Sequence, residues 1–139
     1  MTTRVPILSL KDIRKSYGPV AVLHGVDFEV YPGEVVALLG ENGAGKSTLS
    51  GIIAGSVQPS GGTMTWQGQP YAPANPREAL DSGVGLIHQE LRLLPHLTIA
   101  ENVFVGRYPM KAGRLDRKLM EERAHAGLQR LGLDISPRR

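Results

Sequence analysis

A glycine-rich segment at residues 40–48 carries the clearest chemistry in this sequence. It fits the pattern G-x-x-x-x-G-K-[ST], in which backbone N–H groups surround phosphate oxygens. Glycine suits such a loop because it lets the backbone turn tightly and approach a ligand closely. The residues that we expect to bind phosphate are Gly40, Glu41, Asn42, Gly43, Ala44, Gly45, Lys46, Ser47 and Thr48.

Two side chains in this loop have chemistry of their own. The Lys46 ammonium is placed to reach the β- and γ-phosphates of a nucleoside triphosphate, where it can also stabilise the charge that develops during phosphoryl transfer. The Ser47 hydroxyl is placed to bind Mg²⁺. We therefore predict a binding and catalytic role for Lys46 and a metal-binding role for Ser47.

The segments on either side of the loop predict the elements that position it. Residues 34–39 form a short apolar run, which is typical of a buried strand. After the loop, Leu49, Ile52 and Ile53 recur at helical spacing, and Gly55 can end that helix in a left-handed conformation. The order strand, loop, helix places the phosphates at a helix N-terminus, where the helix dipole favours anions.

The remaining pattern predicts an antiparallel sheet beside a parallel core. Strand-like stretches precede the loop at 7–13 and 20–30, and others follow its helix at 63–66 and 84–87. In the stretch 20–30, the alternation predicts a packed face made by Val22, His24, Val26, Phe28 and Val30.

Capping residues predict where the later helices begin. A side-chain oxygen that can accept a hydrogen bond from the first turn of a helix stands at Asn75, Thr98 and Asp116. The helix after Asp116 would present an apolar face that includes Met120, Ala124 and Leu131.

Composition narrows the classes of protein that are possible. The chain has 139 residues, a net charge of +3 and no cysteine, so it is one domain or part of one, without disulfides or thiolate metal sites. The basic residues are scattered, and we expect no nucleic-acid partner. We also expect no membrane span and no signal peptide, because no apolar run is long enough for a bilayer and the N-terminus lacks an apolar region.

Four features, in this order, resemble the N-terminal part of the ATP-binding subunit of an ABC transporter. They are Tyr17 before the turn at 18–19, the loop and its strand at 35–48, the turn at 59–62, and Gln89 after the apolar stretch 84–87. The resemblance implies that Tyr17 stacks on adenine, and that Gln89 senses the γ-phosphate and binds Mg²⁺ in a catalytic role. It implies ATP and Mg²⁺ as cofactors.

Segments 85–91 and 97–107 more closely resemble the subunits that serve ribose, xylose and galactose importers. This implies ATP hydrolysis that powers monosaccharide import, with membrane-spanning permease subunits, a second nucleotide-binding domain and, indirectly, a sugar-binding protein as partners. It implies a cytoplasmic location, peripheral on the inner face of the cell membrane. Two interpretations stay open for a cluster of apolar residues, which either dock a membrane partner or pack in the core: Leu91, Leu93, Leu94, Leu97 and Ile99.

The resemblance implies the α/β fold of P-loop NTPases, with a parallel core and an N-terminal antiparallel β-subdomain. The expected divisions are the β-subdomain at 1–33 and 56–72, the P-loop strand and helix at 34–55, the core strand and Q-loop at 73–97, and the start of a helical subdomain at 98–139.

The family's signature segment and its Walker B strand are not found in the sequence, so we expect a fragment of a longer protein. The fragment alone would bind nucleotide without hydrolysing it. The alternatives are a soluble ABC-type ATPase of translation or DNA repair, a pure nucleotide-binding module, and an unrelated P-loop kinase or GTPase.

Overall fold

The structure, a computed structural model, describes residues 4–90 and 92–139, so Leu91 lies outside the described residues. The chain divides into two compact units, Met1–Ile87 and His88–Arg139.

The first unit is built on an antiparallel sheet with strand order β2-β1-β3-β4. Its strands are β1 (Leu8–Tyr17), β2 (Val20–Val30), β3 (Gly61–Trp66) and β4 (Gln69–Pro70). Its helices are α1 (Lys46–Ile53) and α2 (Pro76–Ser82). The predicted antiparallel strands and the helix after the glycine-rich loop are therefore confirmed, and Gly55 has the expected left-handed conformation, with a φ of 78°.

The core of this unit joins the inner face of the sheet to α1. Leu10 and Ile13 of β1 are fully buried together with Ile52 of α1, and Leu49 and Met64 belong to the same cluster. Burying one such side chain stabilises a fold by about 1.5–3 kcal/mol. This packing fixes α1, and with it the loop that precedes the helix, against β1 and its neighbours.

The two expected core strands at 34–39 and 84–87 are not strands in this structure, and the expectation that they are buried is wrong except at Val84, which packs against the core. Val35 is 97% exposed, Leu39 is 91% exposed and Ile87 is 97% exposed. A strand exists only when a neighbour hydrogen-bonds to it, and among the described residues every paired strand is antiparallel and none pairs with either segment. Their apolar composition is typical of strands covered on both faces, a cover that the described residues do not supply.

The second unit contains two helices and a short hairpin. The elements are α3 (Ile99–Val103), β5 (Met110–Lys111), β6 (Arg114–Leu115) and α4 (Arg117–Arg130). A small core joins α3 to α4 through Ala100, Met120 and Ala124, whereas Leu131, which was expected on this apolar face, is exposed.

The predicted caps form at Asn75, Thr98 and Asp116, each of which accepts a hydrogen bond from the first turn of its helix. The hairpin β5–β6 was not predicted. Its turn residues Ala112 and Gly113 both have positive φ, and the pair Ala-Gly is a weaker turn signal than Asn-Gly. In the described part of the chain, no helix is both long and apolar enough to cross a bilayer.

Replacing Gly62 by alanine should destabilise the first unit strongly. Gly62 has a φ of +91°, and a Cβ there would lie 2.3 Å from the backbone oxygen of Asp12. The Asp12 oxygen belongs to the backbone and the backbone also fixes the position of the Cβ, so no side-chain rotation can relieve the collision. We expect Gly62→Ala to lower the free energy of unfolding by about 3 kcal/mol or more. Urea denaturation measures this change.

The matched control is Gly68→Ala. Gly68 also has a positive φ, +76°, but a Cβ there meets no atom within 4 Å. Gly68→Ala should therefore cost only the free energy of holding an alanine at positive φ, about 1 kcal/mol. Equal losses for the two variants would show that the contact between β3 and β1 at Asp12 is not close.

The capping box of α3 should make the second unit sensitive to acid. The Glu101 carboxylate accepts hydrogen bonds from the backbone N–H of Thr98 (2.8 Å) and from its hydroxyl (3.0 Å), and these bonds lower the pKa of Glu101. A carboxyl whose pKa is lowered on folding contributes stability above its unfolded pKa, and this contribution is lost as the pH falls through the folded pKa.

We therefore expect the wild-type chain to lose more stability than Glu101→Gln when the pH is lowered from 7 into the range where glutamate protonates. The glutamine can still accept a hydrogen bond but has no charge to lose. Chemical denaturation at both pH values measures the difference, and identical losses would contradict the role given to this carboxylate.

Candidate functional site

The glycine-rich loop leads directly into α1 and leaves the start of this helix uncapped by any side chain. The N–H of Ala44 donates to the Glu41 carbonyl (3.1 Å), which closes a turn in the loop. Gly45 is the N-cap with a φ of 91°, and no side chain caps the helix. The first N–H groups of a helix have no acceptor within it, so these donors are available to an anion.

Lys46 folds back over the loop. Its Nζ donates to the carbonyl of Gly40, which leaves two of its three N–H groups for a ligand. Lys46 is also the first residue of α1, and its carbonyl accepts from the Ser50 hydroxyl (3.1 Å) in the next turn. The ammonium is thereby held across the loop whose backbone donors surround the same space.

A cavity of about 280 Å³ lies at this point. Its lining combines the loop, the first turn of α1 and one strand residue: Val22, Asn42, Gly43, Gly45, Lys46, Ser47 and Thr48. The donor set of uncapped N–H groups, an ammonium and two hydroxyls fits the phosphates of a nucleotide. The exposed hydroxyl of Ser47 fits one ligand position of Mg²⁺, which takes oxygen ligands and usually shares them with phosphates.

The N-cap of α1 lies so close to β2 that a Cβ at this position would collide with a side chain of the strand. A Cβ on Gly45 would lie 2.7 Å from Leu23 Cδ2 and 3.4 Å from the Val22 carbonyl oxygen.

Leu23 is buried, whereas His24 is exposed, so the predicted packed face of β2 is wrong at His24. The cause is a register shift in which β2 carries an extra residue at Gly25, and simple alternation cannot anticipate such a bulge.

Tyr17 lies at the end of β1, and its side chain is half exposed. It pairs with Val20, while Lys15 pairs with Leu23, the residue that touches the N-cap of α1. The three residue steps from Val20 to Leu23 cover about 10 Å along β2. Tyr17 thus lies on the strand that pairs with the one touching the α1 N-cap, and its stacking on adenine stays a prediction.

Lys15 was not singled out by the sequence, although it lies at the same site. Its Nζ lies 4.9 Å from the centroid of the Tyr17 ring, which is a cation–π arrangement. The sequence could have indicated this contact, because Lys15 and Tyr17 are two residues apart and such residues share a face of a strand.

Gln89 belongs to the second unit, whereas the loop and Tyr17 belong to the first. It occupies an exposed bend shortly after Ile87. Its predicted roles toward the γ-phosphate and Mg²⁺ stay predictions.

A second cavity of about 290 Å³ lies in the first unit, lined by residues of β1 and β3 and by the proline-rich segment 70–73. Two of the polar side chains there are already paired with backbone carbonyls. The Tyr71 hydroxyl donates to the Ile53 carbonyl (2.7 Å), and the Gln58 amide donates to the Pro73 carbonyl (3.1 Å). Burial raises the pKa of Tyr71, so its hydroxyl stays protonated as a structural donor.

Comparison with known families now identifies the class. The family model described as ABC transporter matches residues 23–139, and the chain therefore belongs to the ABC transporter family. The resemblance drawn from Tyr17, the loop, the turn at 59–62 and Gln89 is confirmed at this level.

Curated relatives of the chain include sugar-import proteins. The chain is 48% identical over 134 residues to the ribose import ATP-binding protein RbsA of Geobacillus kaustophilus, covering 95% of this chain and 27% of that protein. It is 44% identical over 137 residues to the arabinose import ATP-binding protein AraG of Pectobacterium atrosepticum, covering 99% of this chain and 27% of that protein. The chain thus spans about a quarter of the length of these relatives.

Solved structures show the same fold. The ATP-binding cassette MJ1267 of an ABC transporter superposes with a TM-score of 0.81 at 27% identity, over 97% of this chain and 57% of that one. A nucleotide-free cassette from an ABC transporter gives a TM-score of 0.78 at 26% identity, over the same shares. The predicted α/β fold of an ABC-type P-loop NTPase with an N-terminal antiparallel sheet is confirmed.

The contact between Gly45 and Leu23 predicts a rescue. Gly45→Ala should weaken binding of inorganic tripolyphosphate, because its Cβ pushes the N-cap away from Leu23. Leu23→Ala removes the colliding methyl group, so the double variant should bind more tightly than Gly45→Ala alone. Isothermal titration of tripolyphosphate into the wild type, the two single variants and the double variant measures the coupling free energy between the two positions.

Gly43→Ala is the control, since Gly43 has a similar φ of +88° but a Cβ there meets nothing within 4 Å. Leu23→Ala should not rescue that variant. Strictly additive effects of Gly45→Ala and Leu23→Ala would contradict the contact.

Proposed function

We propose that this chain binds ATP with Mg²⁺ at the glycine-rich loop, and that the protein to which it belongs hydrolyses ATP to power import of a monosaccharide. The observation that carries the proposal is the uncapped start of α1, with Gly45 against Leu23 and Lys46 folded over the same cavity. Membership of the ABC transporter family supports the same ligand.

The residues have distinct roles in this proposal. Backbone N–H groups of the loop and the Lys46 ammonium hold the phosphates, and Tyr17 stacks on the base, a contact that does not depend strongly on base identity. The Ser47 hydroxyl and the Gln89 side chain would hold Mg²⁺, which when bound neutralises charge on the β- and γ-phosphates. Lys46 stabilises the charge on the γ-phosphate during transfer, and Gln89 reports the presence of that phosphate to the second unit.

The transported solute is proposed from the relatives. Both are named as import ATP-binding proteins, one for ribose and one for arabinose, so we infer a pentose or related monosaccharide. Membrane-spanning permease subunits, a second nucleotide-binding domain and a separate sugar-binding protein would complete the transporter. The ATP-binding protein would lie on the cytoplasmic face of the cell membrane.

The leucine segment of the second unit is our candidate for the permease contact. Leu93 and Leu94 are exposed, which suits docking of a membrane partner. Leu97 and Ile99 are partly buried, which suits packing in the core. The Asn102 amide holds the segment in place, because it accepts from the N–H of Leu94 (2.8 Å) and donates to the Leu94 carbonyl (3.0 Å). An ordered loop with two exposed leucines is suited to binding an apolar partner.

Lys46→Ala tests the proposal directly. Loss of an ammonium that hydrogen-bonds phosphate should weaken ATP binding by about 10- to 100-fold. Titration of the full chain with ATP and Mg²⁺ measures the affinity, and hydrolysis is assayed separately. The control is Lys118→Ala, because Lys118 is an exposed lysine of α4 paired only weakly with Glu122 at 4.0 Å.

In the complete transporter reconstituted in vesicles, Lys46→Ala should abolish ATP-driven sugar uptake while Lys118→Ala leaves it unchanged. Uptake that persists with Lys46→Ala would contradict the transport function, and unchanged ATP affinity would contradict the binding site.

A further inference from the structure

We propose that Lys15 is a positioning residue for the nucleotide base, acting through the Tyr17 ring. The inference rests on the proposed binding of ATP. In it, the Lys15 ammonium holds the ring of Tyr17 in one orientation before the base arrives, and the base then stacks on a ring that is already ordered.

The strand geometry places Lys15 on the nucleotide side of β1. Ile13, Lys15 and Tyr17 alternate along the strand and so share one face, and Ile13 on that face is fully buried in the core. Lys15 is directly opposite Leu23, and directly paired residues of antiparallel strands also share a face. Lys15 is therefore paired with the residue that touches the N-cap of α1, and it lies on the same face of the sheet as that contact.

The charge of Lys15 has no acidic partner within 4–90 and 92–139. No hydrogen bond or ion pair of its ammonium is present among those residues, and its one defined contact is the Tyr17 ring at 4.9 Å. The nearby carboxylate of Asp12 is occupied by Arg14, at 2.8 Å. The partly buried lysine stem packs along the strand while its charged end covers the ring.

Ordering the ring before binding should raise affinity for the base. A half-exposed tyrosine can change rotamer, and stacking must remove this freedom when the base binds. A cation over the ring restricts it beforehand. A cation–π contact at an exposed site corresponds to about a two- to fivefold change in affinity, and we expect an effect of that size.

The test compares Lys15→Met, which keeps the length and apolar stem of the side chain but removes the charge, with Lys15→Arg, which keeps the cation. Each is titrated with Mg-ATP and, separately, with inorganic tripolyphosphate, which lacks a base. Lys11→Met is the matched control, because Lys11 is an exposed lysine on the same strand. The Lys15→Met change is also made in a Tyr17→Leu background.

We expect Lys15→Met to weaken ATP binding two- to fivefold, to leave tripolyphosphate binding unchanged, and to have no effect when Tyr17 is leucine. Lys15→Arg should restore the affinity for ATP. Equal weakening of ATP and tripolyphosphate would overturn the inference, since it would mean that Lys15 contacts phosphate directly. An unchanged ATP affinity would overturn it as well, with the proposed function intact, whereas a wild-type chain that binds neither ligand would overturn both.

Discussion

The close approach of the α1 N-cap to β2 is the constraint on which the rest of the site depends. The missing Cβ of Gly45 lets the start of the helix rest on Leu23 and Val22. Because β2 pairs with β1 along its length, the same contact determines how far Tyr17 lies from the phosphate-binding loop. One glycine thereby links an anion site on a helix with an aromatic residue on a strand that lies far away in sequence.

Much of this arrangement could be predicted from the sequence, because its signals are local. The signals for the glycine-rich loop and for the helix after it lie within a few residues of the features that they predict. The same is true of the capping oxygens at Asn75, Thr98 and Asp116. The antiparallel strands were predictable for the same reason, since turns such as the one at 67–68 connect them directly.

What could not be predicted depends on contacts between distant segments. The burial of Leu23 in place of His24 follows from a bulge at Gly25, where the Asp12 carboxylate would collide with any Cβ. The Asp12 backbone itself has a φ of 50°. The importance of Lys15 depends on which residue it opposes across the sheet. No periodicity in one strand contains this information, because register is set by both strands together.

The two cavities of the first unit show why a site is defined by its free polar groups more than by its size. They are almost equal in volume. In the proline-lined cavity, the Tyr71 hydroxyl and the Gln58 amide are bonded to backbone carbonyls. Around the loop, by contrast, the helix start is uncapped and Lys46 has two N–H groups left for a ligand, so of these two cavities the one at the loop has the free donors that suit an anion.

The exposed segment at 34–39 has a consequence for how affinity is regulated. Gly40, whose carbonyl receives the Lys46 ammonium, directly follows Leu39, which is 91% exposed. The loop is thus anchored to packed structure on the α1 side and joined to unpaired backbone on the other. Any strand that pairs with 34–39 restricts the loop from that side, and thermodynamic linkage then requires ATP to favour the pairing as much as the pairing favours ATP. On the proposed function, pairing of this segment and occupancy of the nucleotide site would therefore each strengthen the other.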